Sequence, residues 1–116
     1  MDMQSRSSGS VRVFYPEYDT ERLVQELKGK LVELEERIPL SKVILFGSFA
    51  KGSYTAASDV DLLVVYKGEE KKEDAYATIK KILRIPRLEP HVYSELEYDA
   101  VKETLNKMTE GGIVLR

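Results

Sequence analysis

The sequence predicts an α/β domain, and three observations carry that expectation. One leucine-rich stretch repeats at helical spacing. Two short runs, Lys42–Phe46 and Val60–Tyr66, are almost wholly apolar and of strand length. Amphipathic stretches then alternate with further short apolar runs, which is the ordering of helices packed on a sheet. At 116 residues the chain has the length of one domain and the material for one modest core.

Taken in order, residues 1–10 are polar and Ser-rich and are expected to form a disordered tail, so that one domain fills 11–116. Val11, Val13 and Tyr15 alternate with Arg12 and Phe14, the pattern of a short strand or extended arm that Pro16 ends. A helix is predicted from about Thr20 to Arg37. Leu23, Leu27, Leu31, Leu34 and Ile38 form its stripe, Asp19 caps it and Pro39 stops it. Gly29 lies inside it at a cost of about 1 kcal/mol against alanine. Lys42–Phe46 and Val60–Tyr66 read as strands covered on both faces. Lys72–Leu83, with Ala75, Ile79, Ile82 and Leu83 on one side, reads as the next helix. Leu88–Tyr93 is a third strand, which Pro90 consigns to an edge or a kink. Ser94 and Glu97 have capping-box spacing and open a helix carrying Val101, Leu105 and Met108, ended by Gly111-Gly112. Ile113–Leu115 supplies a last short strand.

Composition removes several kinds of chemistry. There is no cysteine, so disulfides, thiolate metal sites and cysteine nucleophiles are excluded. With His91 the single histidine, a zinc site of the usual His/Cys kind is disfavoured, and a metal would be held by oxygen, which suits magnesium or manganese. Eighteen basic and twenty acidic residues leave a net charge of −2, whereas nucleic-acid binders usually show a basic excess. Lys71-Lys72 and Lys80-Lys81 therefore read as solvated helix faces and nucleic acid as an unlikely partner. With neither an apolar run of membrane-spanning length nor a signal-peptide pattern, a cytoplasmic location away from membranes is the expectation.

Residues 46–65, FGSFAKGSYTAASDVDLLVV, concentrate the chemistry. In a strand, residues i and i+2 share a face, so Asp59 and Asp61 project side by side. Two carboxylates this close repel one another unless a cation lies between them. Mg²⁺ suits such a pair, and two metal ions about 3.5–4 Å apart serve in-line phosphoryl chemistry. Gly47 at a strand end allows close approach of a ligand, and a short helix begun at Ser48 would offer free N–H groups and a hydroxyl to phosphate. Lys51 adds a positive charge. A lone Gly-Ser is usually a turn and a lone Asp-x-Asp usually an exposed loop. Ten residues apart, with apolar strands on both outer flanks, they are harder to dismiss.

Gly47-Ser48, ten residues, then Asp59-x-Asp61 resembles the signature of the DNA polymerase beta superfamily of nucleotidyltransferases, and the chain's size resembles its minimal members, the MNT proteins. Ala50, Lys51, Gly52 and Ser58 also match the pattern. The resemblance implies a nucleotidyltransferase-like fold, a mixed sheet with helices packed on one face. It implies transfer of a nucleoside monophosphate from an NTP, ATP in first place, to a hydroxyl acceptor, with two Mg²⁺ ions (or Mn²⁺). It assigns the nucleotide to Gly47 and Ser48, with Lys51 and Ser58 beside them, and the metals to Asp59 and Asp61. A third carboxylate on the neighbouring strand completes the family's catalytic site; Glu89 fits that register best, and His91, on the same strand face, is the alternative. Stand-alone MNT domains further imply a HEPN-type protein partner as acceptor, in an antitoxin role; a partner or an oligomer would then build the acceptor site.

Two other readings compete. A domain with this fold can bind nucleotide or a partner in a regulatory role, without turnover. A sugar transferase also uses Asp-x-Asp with a divalent metal, but it leaves Gly47-Ser48 unexplained. Tyr54, Tyr76, Tyr93 and Tyr98 are expected to be packing or surface residues, and Glu95 and Glu97 to serve the start of their helix.

Overall fold

The computed structural model describes residues 19–116; the tail expected over 1–10 and the extended segment at 11–15 lie outside the described residues. The first helix, α1, runs Thr20–Glu35. Asp19 caps it by accepting the Arg22 N–H at 2.8 Å, and Leu23, Leu27, Leu31 and Leu34 are buried along one stripe. Strand β1 (Leu40–Phe46) leads through Gly47 into a single helical turn, α2 (Ser48–Lys51), which Gly52 closes in the left-handed conformation. Strand β2 is Val60–Tyr66, helix α3 is Lys72–Leu83 and strand β3 is Leu88–Ser94. The two-residue strand β4 (Ile113–Val114) closes the chain's order.

These strands form one mixed sheet in the order β3-β2-β1-β4. β1 runs antiparallel to β2 and to β4, while β2 and β3 are parallel and joined through α3, as a parallel pair requires a crossover. β3 lies at the sheet edge, where the missing N–H of Pro90 is tolerable, as its sequence led one to expect.

The alternation along the strands sorts two cores. Val43, Leu45, Leu62, Val64 and Val92 meet the leucine stripe of α1 and the Ala75, Ile79, Leu83 side of α3. Lys30 tightens this layer by donating from Nζ to the Leu83 carbonyl at 2.7 Å, a cation on the C-terminal end of α3. The residues between them, Ile44, Phe46, Leu63 and Val65, face the other way and pack with Tyr98 and Leu105. The two long helices thus share one face, and a short C-terminal pair lies over part of the other.

That pair departs from the single helix expected after Ser94. The capping box forms, but α4 (Glu95–Ala100) ends at Val101, whose φ is −124°, and α5 (Lys102–Met108) starts afresh. Tyr98 explains the break. Its ring is buried against the sheet and its hydroxyl accepts from Lys42 Nζ at 2.9 Å and donates to Asn106 Oδ1 at 3.1 Å. Anchoring α4 there leaves Val101 and Met108 exposed, and only Leu105 of the expected stripe is buried. Gly112 then admits β4 to the sheet, since a Cβ there would sit 2.8 Å from the Leu45 carbonyl oxygen. Among the described residues no helix is long and apolar enough to cross a membrane.

Candidate active site

The open ends of β1 and β2 meet at one corner of the sheet. Phe46 pairs with Asp61 across the antiparallel ladder, and Asp61 pairs with Glu89 across the parallel one. Register neighbours share a face, so Phe46, Asp61 and Glu89 stand in a row on the face opposite the two long helices. His91 follows Glu89 by two residues on that same face. Its ring lies 5.2 Å from that of Phe46, and its Nε2 is 3.7 Å from Asp61 Oδ1. Asp59 sits one step outside the ladder at the mouth of β2, half-exposed, with the Arg87 guanidinium 3.2 Å from its Oδ1.

Gly47 is what lets the turn lie against this row. Its φ of 79° and ψ of −154° belong to a region that is essentially closed to other residues. A Cβ on it would collide with the Asp61 carboxylate. The turn therefore presses backbone, not side chain, onto the acid, and α2 starts immediately beyond with Ser48 as its first residue. The first N–H groups of that turn have no partners within a helix. The Thr20 hydroxyl holds α2 in place by donating to the Phe49 carbonyl at 2.6 Å, and Phe49 stacks on Tyr54 at 4.7 Å.

Electrostatically the corner is loaded. Burial pushes the Asp61 carboxyl above the usual carboxylate range; His91 pulls it back, while Asp59 and Glu89 push it further up. A cation between these acids would relieve that repulsion, and an all-oxygen donor set fits Mg²⁺ or Mn²⁺. In this arrangement, though, Asp59 leans to Arg87 and Asp61 to His91. Among the described residues no three His, Asp or Glu side chains are gathered closely enough to hold a metal ion as they stand.

The match of known families to this chain spans residues 24–113, which takes in the whole corner, and the family is that of the nucleotidyltransferase domain. The chain belongs to the nucleotidyltransferase domain family. A protein of Methanocaldococcus jannaschii named as a candidate protein adenylyltransferase is 42% identical over 45 residues. That stretch is 39% of this chain and 44% of the relative, so less than half of the relative's length is matched. A crystal structure of a candidate nucleotidyltransferase from Sulfolobus solfataricus shares the fold, with a TM-score of 0.59 and 25% identity, over 83% of this chain and 81% of its own.

Within this nucleotidyltransferase domain the expected site residues fall at different distances from the corner. Asp61 and Glu89 are brought together by strand pairing, Gly47 lies against Asp61 from just beyond β1, and Asp59 and Ser48 border them. Ser58 precedes Asp59 but spends its hydroxyl on the loop, accepting the Thr55 N–H at 2.8 Å. Lys51 stands exposed at the last position of α2. Arg87, which the sequence does not single out, also reaches this corner through Asp59. Its signal was faint: a Pro-Arg turn one residue before β3 faces Asp59 only once β2 and β3 are known to be parallel and in this register.

Proposed function

We propose that the domain transfers a nucleoside monophosphate from an NTP, ATP in first place, to a hydroxyl acceptor, releasing pyrophosphate. The observation that carries this reading is the strand pairing of Asp61 with Glu89, with Asp59 at the same mouth and the Gly47 backbone pressed against Asp61. Asp59, Asp61 and Glu89 would hold the divalent metal. When bound, it supplies charge neutralisation for the triphosphate and polarisation of the α-phosphate.

The chain's own part follows from position. Gly47 leaves room for phosphate, Ser48 and the first N–H groups of α2 bind its oxygens, and Lys51 and Ser58 border the same loop. Glu89 lies on the edge strand, exposed to an incoming acceptor. As the acceptor oxygen bonds to the α-phosphorus, its proton passes to the Glu89 carboxylate, and the α–β bridging oxygen leaves with the electron pair as pyrophosphate.

The acceptor we favour is a protein hydroxyl. The relative named for protein adenylylation supports that class, and the resemblance to MNT domains supports a HEPN-type partner. Incubation with ATP, Mg²⁺ and such a partner should yield AMP-modified partner by mass spectrometry and an equal amount of pyrophosphate. An occupied nucleotide site with no adduct would remove the protein acceptor from the account.

One observation favours the regulatory alternative, a domain that binds nucleotide or partner without turnover. Both aspartates already have cationic or ionisable neighbours, Arg87 and His91. Nucleotide binding without pyrophosphate release, across protein, RNA and small-molecule acceptors, would select it.

A further inference from the structure

Arg87 occupies a place for which its residue type is poorly suited. Ile85, Pro86, Arg87 and Leu88 form a tight turn closed by the Leu88 N–H on the Ile85 carbonyl at 3.2 Å. Pro86 supplies the second position, and the third, with φ at 61°, is the one that glycine or asparagine ordinarily fills. Arg84 is left-handed as well, but as the C-cap of α3. What sets Arg87 apart is its target: its Nη2 lies 3.2 Å from Asp59 Oδ1. The backbone aims it there. The Arg87 carbonyl accepts the Val60 N–H at 2.9 Å, locking the turn to the residue that follows Asp59.

This ion pair involves an acid that the proposed function needs for metal. Both partners are about half exposed, so water screens the pair and it is cheaply broken. A magnesium ion taking the Asp59 oxygen that Arg87 now approaches would compete with the guanidinium for it. A phosphate brought in with that ion would offer a second anion, beside Asp59, to the guanidinium. Its planar fork suits phosphate oxygens as well as it suits carboxylate.

We infer that Arg87 is a nucleotide-binding residue that trades partners: it pairs with Asp59 in the free protein and passes to the polyphosphate when metal and nucleotide arrive. The inference rests on the nucleotidyltransferase reading of this site. It gives the exchange a direction. Metal alone must displace Arg87 from Asp59 without recompense, while metal with nucleotide gives the guanidinium a new anion.

The test uses Arg87→Met, which keeps the stem and loses the charge, and Arg87→Gly, which also eases the turn and so keeps the experiment sound if the first variant folds poorly. Mn²⁺ binding without nucleotide is followed by electron paramagnetic resonance, and binding of a non-hydrolysable ATP analogue with Mg²⁺ by calorimetry. Both variants should bind Mn²⁺ alone more tightly than the parent and bind the Mg²⁺–nucleotide about 10- to 100-fold more weakly, the scale of a lost charge-assisted hydrogen bond. A residue that merely shaped the turn would not move the two affinities in opposite directions. Nucleotide affinity equal to the parent's in both variants, or weaker Mn²⁺ binding in both, overturns the exchange while leaving the proposed function standing. A parent protein that binds no Mg²⁺–nucleotide overturns both.

Discussion

Replacing Gly47 by alanine is the sharpest perturbation of the corner, because one methyl group introduces two separable costs. The first is conformational. At φ 79° and ψ −154° an alanine sits in a region that costs about 1–3 kcal/mol. For a domain of this size that is a fall in Tm of about 4–20 °C. The second is steric, since the new Cβ meets the Asp61 carboxylate, with Cγ at 3.2 Å and Cβ at 3.3 Å behind the oxygen. A double-mutant cycle with Asp61→Ala divides them. In the Asp61→Ala background the carboxylate is gone and only the retained Cβ, 3.3 Å away, still crowds the new methyl, so Gly47→Ala should cost little beyond its conformational part, and the cycle should return a coupling of about 1–3 kcal/mol. Urea denaturation of the four proteins measures the cycle, and calorimetry with Mg²⁺ and an ATP analogue measures the accompanying loss of nucleotide binding. An unchanged Tm for Gly47→Ala would refute the backbone argument. Equal costs in the two backgrounds would refute the contact between the turn and Asp61.

Asp61→Asn should abolish metal-dependent transfer yet stabilise the metal-free fold at neutral pH. Its carboxyl is raised in the folded state, so ionisation penalises folding as pH climbs from the unfolded value near 4 through the folded one, and the penalty is complete above both; thermal melts at pH 3 and pH 7 should show the Asn variant gaining only at the higher pH. Glu89→Gln should depress turnover far more than nucleotide affinity, with His91→Ala as the comparison; loss of activity in the histidine variant alone would move the third acid's role two residues along β3. Gly29→Ala should stabilise the protein by about 0.5–1 kcal/mol, because the position is helical and exposed and a Cβ there meets nothing within 4 Å; an unchanged or lower urea midpoint would contradict that.

What the sequence disclosed and what it withheld divide along a physical line. Local rules were enough for α1, whose cap and leucine stripe lie within one segment, and for a strand opening at Val60 with Asp59 just before it and Asp61 just inside it. Glu89 entered through the family resemblance, which calls for an acid on the strand beside β2, and it is the one acid in Leu88–Tyr93. The break at Val101 was not reachable. Apolar spacing continues through it, and the cause is Tyr98, held by Lys42 from a strand 56 residues earlier. Arg87 was hidden for the same reason. Its meeting with Asp59 depends on the parallel register of β2 and β3, which is set by the packing of α3 on the sheet and not by either strand alone. The collision that makes Gly47 a glycine is likewise a meeting of two strands' ends, visible only when β1 and β2 are paired.

In the proposed function the acids at the mouth of β2 and β3 hold the metal on which the nucleotide is bound. A crystal of the domain with Mn²⁺ and a non-hydrolysable ATP analogue, recorded near the manganese absorption edge, tests it directly. Anomalous peaks are expected among the carboxylates of Asp59, Asp61 and Glu89, with the triphosphate along Gly47 and Ser48. Manganese and nucleotide bound together elsewhere, with those three carboxylates free, would contradict it.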